Sequence, residues 1–384
     1  MISDKIQQLK PSATMAINRK SKEMQAEGLP VINLSVGEPD FDTPEPIKEY
    51  AIESIKEGFT KYTVEKGIPE LRKEICRKLK EDNGLSYDVE QIVVSNGAKH
   101  SLFNLFLAII EPGDEVIIPA PYWVSYPAMV SIAGGVPVFC RWDGNFKIDM
   151  EHLKSLVNDK TKALVLNSPS NPTGIVYEKR ELEELADILT SKGILCISDE
   201  IYEKIIYENM KHVSIASVSP EMKRLTVVVN GVSKSFSMTG WRIGYIAAEP
   251  EIAGAVSKIQ GQTTSAPCSI SQKAAYYAMK HGDSLSVDMI AEFCKRRDFL
   301  VKNLSEEFSY PLPMGAFYLF FSYKDMDSVA LAGRLLEEKF LAAVPGKDFG
   351  ADMYVRISYA INMANLEETV KRLNEFTGQG RRVK

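Results

Sequence analysis

Lys234 lies in NGVSKSFSMTGWRIG, a run rich in Gly, Ser and Thr that carries Arg242 eight residues further on. Small hydroxyl residues and glycine let backbone N–H groups approach an anion closely, and a guanidinium adds a planar fork of donors matched to phosphate. A lone lysine in such a loop is ordinarily a solvated charge. Here the amine stands beside an anion cup, and the pair suits a phosphorylated aldehyde held covalently. Upstream, Asp199 follows the apolar stretch ILCIS, where an unpaired buried carboxylate is costly and calls for a cationic partner. Besides a structural ion pair or a helix cap, such a carboxylate can keep the nitrogen of an electron-accepting ring protonated. Tyr202, three residues on, and Asn171 in SPSNPTG can hydrogen-bond a hydroxyl on that ring.

The elements that must position these groups alternate short apolar strands with amphipathic helices from about Asp42 to His281, the rhythm of an α/β domain. Candidate strands are 91–95, 115–118, 136–140, 163–167, 194–198, 225–229 and 243–247. Several are apolar throughout, as strands covered on both faces must be. The loops with chemical potential follow three of them, and ligands gather where the carboxyl ends of α/β strands open into loops. Pro69, the stripe Leu71, Ile75 and Leu79, and Gly84 past the end mark one intervening helix. Beyond Gly282 come a long helix with Met289, Phe293, Phe299, Leu300 and Leu304 at helical spacing, then strand AFYLFFS, a helix, strand YVRIS and a last helix. The expected division is a large domain over 42–282 and a smaller α+β domain built from 1–41 and 283–384. The N-terminal part contributes one helix ending near Gly28 and the irregular linker VGEPDFDTP.

A chain of 384 residues exceeds the usual single core, since domains mostly run to roughly 100–200 residues. No apolar run approaches the ~18 residues that span a bilayer, so no membrane role is expected. The N-terminus lacks the apolar core of a signal peptide, and a cytoplasmic location follows. The net charge is -5, with Arg381-Arg382-Val383-Lys384 the only basic cluster, read as a solvated tail, so nucleic acid is an unexpected partner. Cys76, Cys140, Cys196, Cys268 and Cys294 are odd in number and form no CxxC, which points to reduced, mostly core thiols. His100, His152, His212 and His281 show no metal-binding spacing.

Taken together, GVSKSFSMTGWRIG, SPSNPTG and SDEIY, with PYWVSYP and VGEPDF upstream, resemble the class I aminotransferases of fold type I, from about Lys10 to the last helix. The resemblance implies a mostly parallel central sheet sandwiched by helices, the cofactor pyridoxal 5'-phosphate, and a homodimer with shared active sites. Lys234 then forms the covalent link to the cofactor, Asp199 pairs with its pyridine nitrogen, Asn171 and Tyr202 bond its ring oxygen, and Trp123 stacks on its ring. Its phosphate is held by backbone at Gly97 and Ala98, by Ser233 and Arg242, and by a tyrosine of the neighbouring subunit that matches Tyr62. Arg356, in YVRIS with Tyr354 and Ser358 on its side of the strand, becomes the bidentate clamp on a substrate α-carboxylate, a geometry that lysine cannot copy. Gly37 lies over that carboxylate, and Asn171 shares the contact.

Lys99 is expected in the first turn of a helix, where the dipole disfavours a cation and an anionic ligand would compensate. KPSATM and NGAKHSLFNLF resemble a bacterial branch of aspartate aminotransferases, in which residues matching Lys99, Ser12 and Thr14 receive a distal carboxylate. The expected reaction is ping-pong transfer between aspartate and 2-oxoglutarate, with prephenate a further substrate in some of that branch. The alternatives are an aromatic or other amino-acid aminotransferase, or a lyase on the same scaffold. A regulator built on this fold would need a DNA-binding domain that ~40 preceding residues do not supply, and a nicotinamide enzyme a GxGxxG that is missing.

Overall fold

The computed structural model describes residues 2, 7, 13–208 and 210–378. Ser12 and the terminal basic cluster lie outside the described residues, and Thr14 belongs to helix Ala13–Ala26 with its side chain outside them. The strands are β1 Ile32–Asn33, β2 Ile92–Ser95, β3 Glu115–Pro119, β4 Val136–Cys140, β5 Thr161–Asn167, β6 Leu195–Asp199, β7 Thr226–Gly231, β8 Gly244–Ala247, β9 Phe308–Ser309, β10 Tyr318–Tyr323, β11 Leu341–Ala342, β12 Val344–Pro345 and β13 Tyr354–Ser358.

All seven strands expected from the apolar runs join one sheet in the order β2-β8-β7-β6-β5-β3-β4. Only β8 runs antiparallel to its neighbours β2 and β7. Alternate side chains feed two different cores. Ile92, Val94 and Val228 pack with Leu71, Ile75 and Leu79, whereas Val93, Val227 and Val229 pack with Leu102, Leu105 and Phe106. That double cover explains the apolar runs, and each such fully buried aliphatic side chain contributes roughly 1.5–3 kcal/mol. The edge strand β4 departs from this pattern: Val136 and Phe139 are each 45% exposed, because no element among the described residues covers that side.

Helix Pro69–Asn83 begins on its proline and stops at Gly84, whose φ of 68° closes the left-handed C-cap. A second, antiparallel sheet has the order β12-β13-β10-β9. Helix Val287–Asn303 and helix Met363–Phe376 cover it through Phe293, Leu300, Leu366 and Leu373. The N-terminal segment joins this part of the molecule through parallel pairing of β1 with β11.

Among the described residues no helix is long and apolar enough to cross a membrane. All five cysteines are free, but only Cys140 and Cys196 are buried; Cys76 and Cys294 are half-buried and Cys268 is exposed, which corrects the expectation of mostly core thiols.

Candidate active site

Adjacent parallel strands bring the three chemical loops together. In register, Asn167 of β5 lies opposite Asp199 of β6, and Asp199 opposite Val229 of β7, so Asn171, Asp199 and Lys234 leave one edge of the sheet side by side. Asn167 fastens this edge: its amide donates to the Asp199 carbonyl at 2.9 Å and its side-chain oxygen accepts from the Asn171 N–H at 2.8 Å. β2 ends nearby, and Gly97 leads into helix Ala98–Ile109, whose first turn no side chain caps. Such a turn offers free N–H groups to an anion. Gly97 has a φ of 86°, and a Cβ there would meet the Arg242 guanidinium carbon at 2.8 Å, so only glycine lets the guanidinium close over the helix start.

These elements enclose a cavity of about 310 Å³. Gly37, Ala98, Lys99, Trp123, Asn171, Asp199, Tyr202, Ser233, Lys234, Arg242 and Arg356 all line it. Gly97 sits directly behind it, against Arg242. Tyr62 lies elsewhere and is 99% exposed in the single chain. Among the lining residues, Lys99, Lys234, Arg242 and Arg356 face Asp199 as the one carboxylate, so the cavity favours a ligand carrying several negative charges.

The Lys234 amine donates to the Gly37 carbonyl at 2.7 Å. Burial, reinforced by Arg242 and Arg356 against the opposing pull of Glu38 and Asp199, lowers its pKa to about 8. A substantial neutral fraction is therefore present near neutrality, as a nucleophile or base needs. Lys99 is exposed at the mouth, with its amine 4.8 Å from the centre of the Trp123 ring. Partial burial of that amine, then the charge of Arg242, holds its pKa below the ordinary lysine value. Arg356 is 2% exposed; it donates to Asn171 Oδ1 at 2.9 Å and to the Ser35 carbonyl at 2.6 Å. Its Nε is buried with no partner, so this guanidinium retains donor capacity for a ligand.

Within the protein Asp199 is served by a phenol and a backbone donor: Tyr126 donates to its Oδ2 at 2.7 Å, and the Ile201 N–H adds a contact at 3.3 Å. Burial raises its pKa to about 6 despite those donors. Neither Tyr126 nor Asn167 was singled out from sequence, although Tyr126 stands three residues after Trp123 within PYWVSYP. Beneath this site Glu200, Glu203 and His212 converge with ligand-capable atoms within 4.8 Å, a grouping that the histidine spacing did not reveal. These carboxylates are already matched: Ser198, Ser214 and His212 bond Glu200, and Lys78 and Asn83 bond Glu203.

The raised pKa of Asp199 has a measurable consequence in cofactor-free protein. Below about 3.8 the carboxyl is protonated in both folded and unfolded chains; between there and about 6 only the folded chain keeps the proton. Stability therefore falls as pH rises through that window, by an amount on the order of 3 kcal/mol. Asp199→Asn removes this dependence, so its stability advantage over the wild type in urea unfolding should widen from pH 4 to pH 7. A difference that stays constant with pH would refute the assignment.

A profile of the aminotransferases of class I and II matches residues 30–373, and the chain belongs to this family. It is 45% identical over 389 residues to the aspartate aminotransferase of Bacillus sp. strain YM-2, covering 98% of this chain and 99% of that one. It is likewise 45% identical over 395 residues to a probable aspartate/prephenate aminotransferase of Rickettsia bellii, covering 98% and 99%. Among solved structures, the aspartate aminotransferase from Thermus thermophilus with maleate superposes with a TM-score of 0.93 at 42% identity, covering 98% of this chain and 99% of that one.

Proposed function

We propose that this aminotransferase works with pyridoxal 5'-phosphate and exchanges the amino group of aspartate with 2-oxoglutarate, prephenate being a further acceptor. The observation that carries the reading is the Lys234 amine, with its pKa near 8, sharing one cationic cavity with Asp199 and Arg356. When bound, the cofactor supplies an aldehyde that takes the amino group and a ring that accepts electrons from the substrate Cα.

The residues present fit that group. Backbone N–H at Ala98, the Ser233 hydroxyl and Arg242 surround the place for a phosphate, and Asp199 is the buried acceptor for a ring N–H. Asn171 gives its side-chain oxygen to Arg356, which leaves its amide hydrogens for the ring oxygen beside Tyr202. Lys234 would be the amine that holds the cofactor's aldehyde, and with a pKa of about 8 it would serve as the base that takes and returns a proton at the substrate Cα. Arg356 orients the α-carboxylate. We further propose that 42–282 form the large domain and 1–41 with 283–384 the small one. Two chains make a cytoplasmic homodimer in which Tyr62 of each reaches the other's phosphate; its near-complete exposure supports that role.

Initial-rate lines at several concentrations of the second substrate should be parallel, as ping-pong exchange requires, and intersecting lines would exclude the scheme. Substrate choice is tested at Lys99. Hydrogen bonds to charged groups contribute about 1.5–3 kcal/mol, so Lys99→Ala should lower kcat/KM for aspartate roughly 10- to 100-fold and leave alanine nearly unchanged. An unaltered preference for aspartate would remove Lys99 from the distal site.

A further inference from the structure

Tyr318, at the start of β10, is fully buried and lines the cavity, and its contacts join groups from three separate parts of the chain. Its hydroxyl lies 2.7 Å from the Tyr202 hydroxyl, with the two rings edge to face at 5.8 Å. Its ring face carries the Arg356 guanidinium, whose carbon lies 4.5 Å from the ring centre. Gly37 rests on the same hydroxyl so closely that a Cβ there would stand 2.5 Å from it.

We propose that Tyr318 is a positioning residue that couples the cofactor side of the site to its carboxylate side, through its hydroxyl on Tyr202 and its ring under Arg356. This inference rests on the pyridoxal-phosphate reading above. A phenol has one proton to donate and two lone pairs to accept. If Tyr202 spends its proton on a ligand oxygen, the Tyr202–Tyr318 contact persists only with Tyr318 as donor. That donation polarises the Tyr202 hydroxyl and strengthens its bond to the ligand. At the other end, Arg356 is a buried cation whose bonded partners are two neutral oxygens, with the faces of Tyr318 and Phe349 closing over it. A ring face stabilises a desolvated guanidinium and fixes its plane, which a bidentate carboxylate contact requires.

Two holoenzyme variants separate the two ends. Tyr318→Phe keeps the ring and removes the hydroxyl. A ligand oxygen left with a weaker donor holds a shared proton more tightly, so the midpoint for pH titration of the bound cofactor's visible band should rise by about half a unit. Maleate, used as a dicarboxylate probe, should bind Tyr318→Phe within about twofold of wild type. Tyr318→Leu removes both features and should also weaken maleate roughly tenfold, the size of a buried cation–π contact. Thermal unfolding of each holoenzyme shows whether its fold is kept; where Tyr318→Leu is lost, Tyr318→Met takes its place, and in a Tyr202→Phe background Tyr318→Phe should leave the midpoint unmoved, because the route through the Tyr202 hydroxyl is gone. A Tyr318→Phe midpoint equal to wild type, or wild-type maleate affinity in a folded Tyr318→Leu, overturns the coupling. A wild type with no pH-dependent visible band would instead overturn the cofactor reading itself.

Discussion

Replacing Lys234 with alanine should lower kcat for transamination about 10⁴-fold, the upper range for loss of a positioned acid–base group. Burial and two nearby guanidinium groups lower the Lys234 pKa to about 8, and among the described residues its one hydrogen-bond partner is a carbonyl that can be exchanged for a ligand. No other amine among the lining residues shares that setting, since Lys99 stands at the mouth against Trp123. The variant should still retain cofactor noncovalently through Ser233, Arg242 and Asp199, while the visible band of a covalent lysine link is missing. Single-turnover mixing with aspartate checks both points. Wild-type turnover, or a covalent band in the alanine variant, would move the attachment to another residue.

Arg356→Lys should lower kcat/KM for the amino acid and for the 2-oxo acid alike, by about 10²- to 10³-fold. Lysine preserves the charge but presents a single nitrogen, which cannot reach Asn171 Oδ1 and the Ser35 carbonyl together and still receive a carboxylate on two parallel N–H bonds. Weakening one side of a buried charge pair typically costs about 2–5 kcal/mol, and each 1.4 kcal/mol is a tenfold change. Both substrates carry the same α-carboxylate, so the loss must be shared. Steady-state rates with each substrate varied in turn decide it, and a loss confined to one of them would place Arg356 on a different group.

Sequence patterning located the large sheet well because its strands are short apolar runs between polar turns. Boundaries differ by a residue or two; the sixth expected strand, 225–229, is β7 at Thr226–Gly231, since ladder bonds rather than hydropathy set strand ends. Residues at loop positions with unusual neighbours, such as Lys234, Asp199 and Arg356, were equally legible, and one cavity contains them. Tyr126 and Tyr318 were not. Tyr126 meets Asp199 across 73 positions and Tyr318 meets Tyr202 across 116, and nothing local separates either from the other 14 tyrosines. The phenol on Asp199 was hidden for a related reason: hydropathy shows that a carboxylate is buried but not which distant donor arrives.

The backbone of residues 35–37 faces the cavity's cations. Its carbonyls occupy two of the most demanding donors in the cavity, Ser35 on Arg356 and Gly37 on Lys234. The leading segment thus behaves as a built-in stand-in for ligand, quenching strongly donating groups that would otherwise face one another with only water between them. At Lys234 an incoming reactant would trade places with a peptide oxygen rather than strip solvent from a bare cation, while the Ser35 bond stays in place and holds the plane of Arg356.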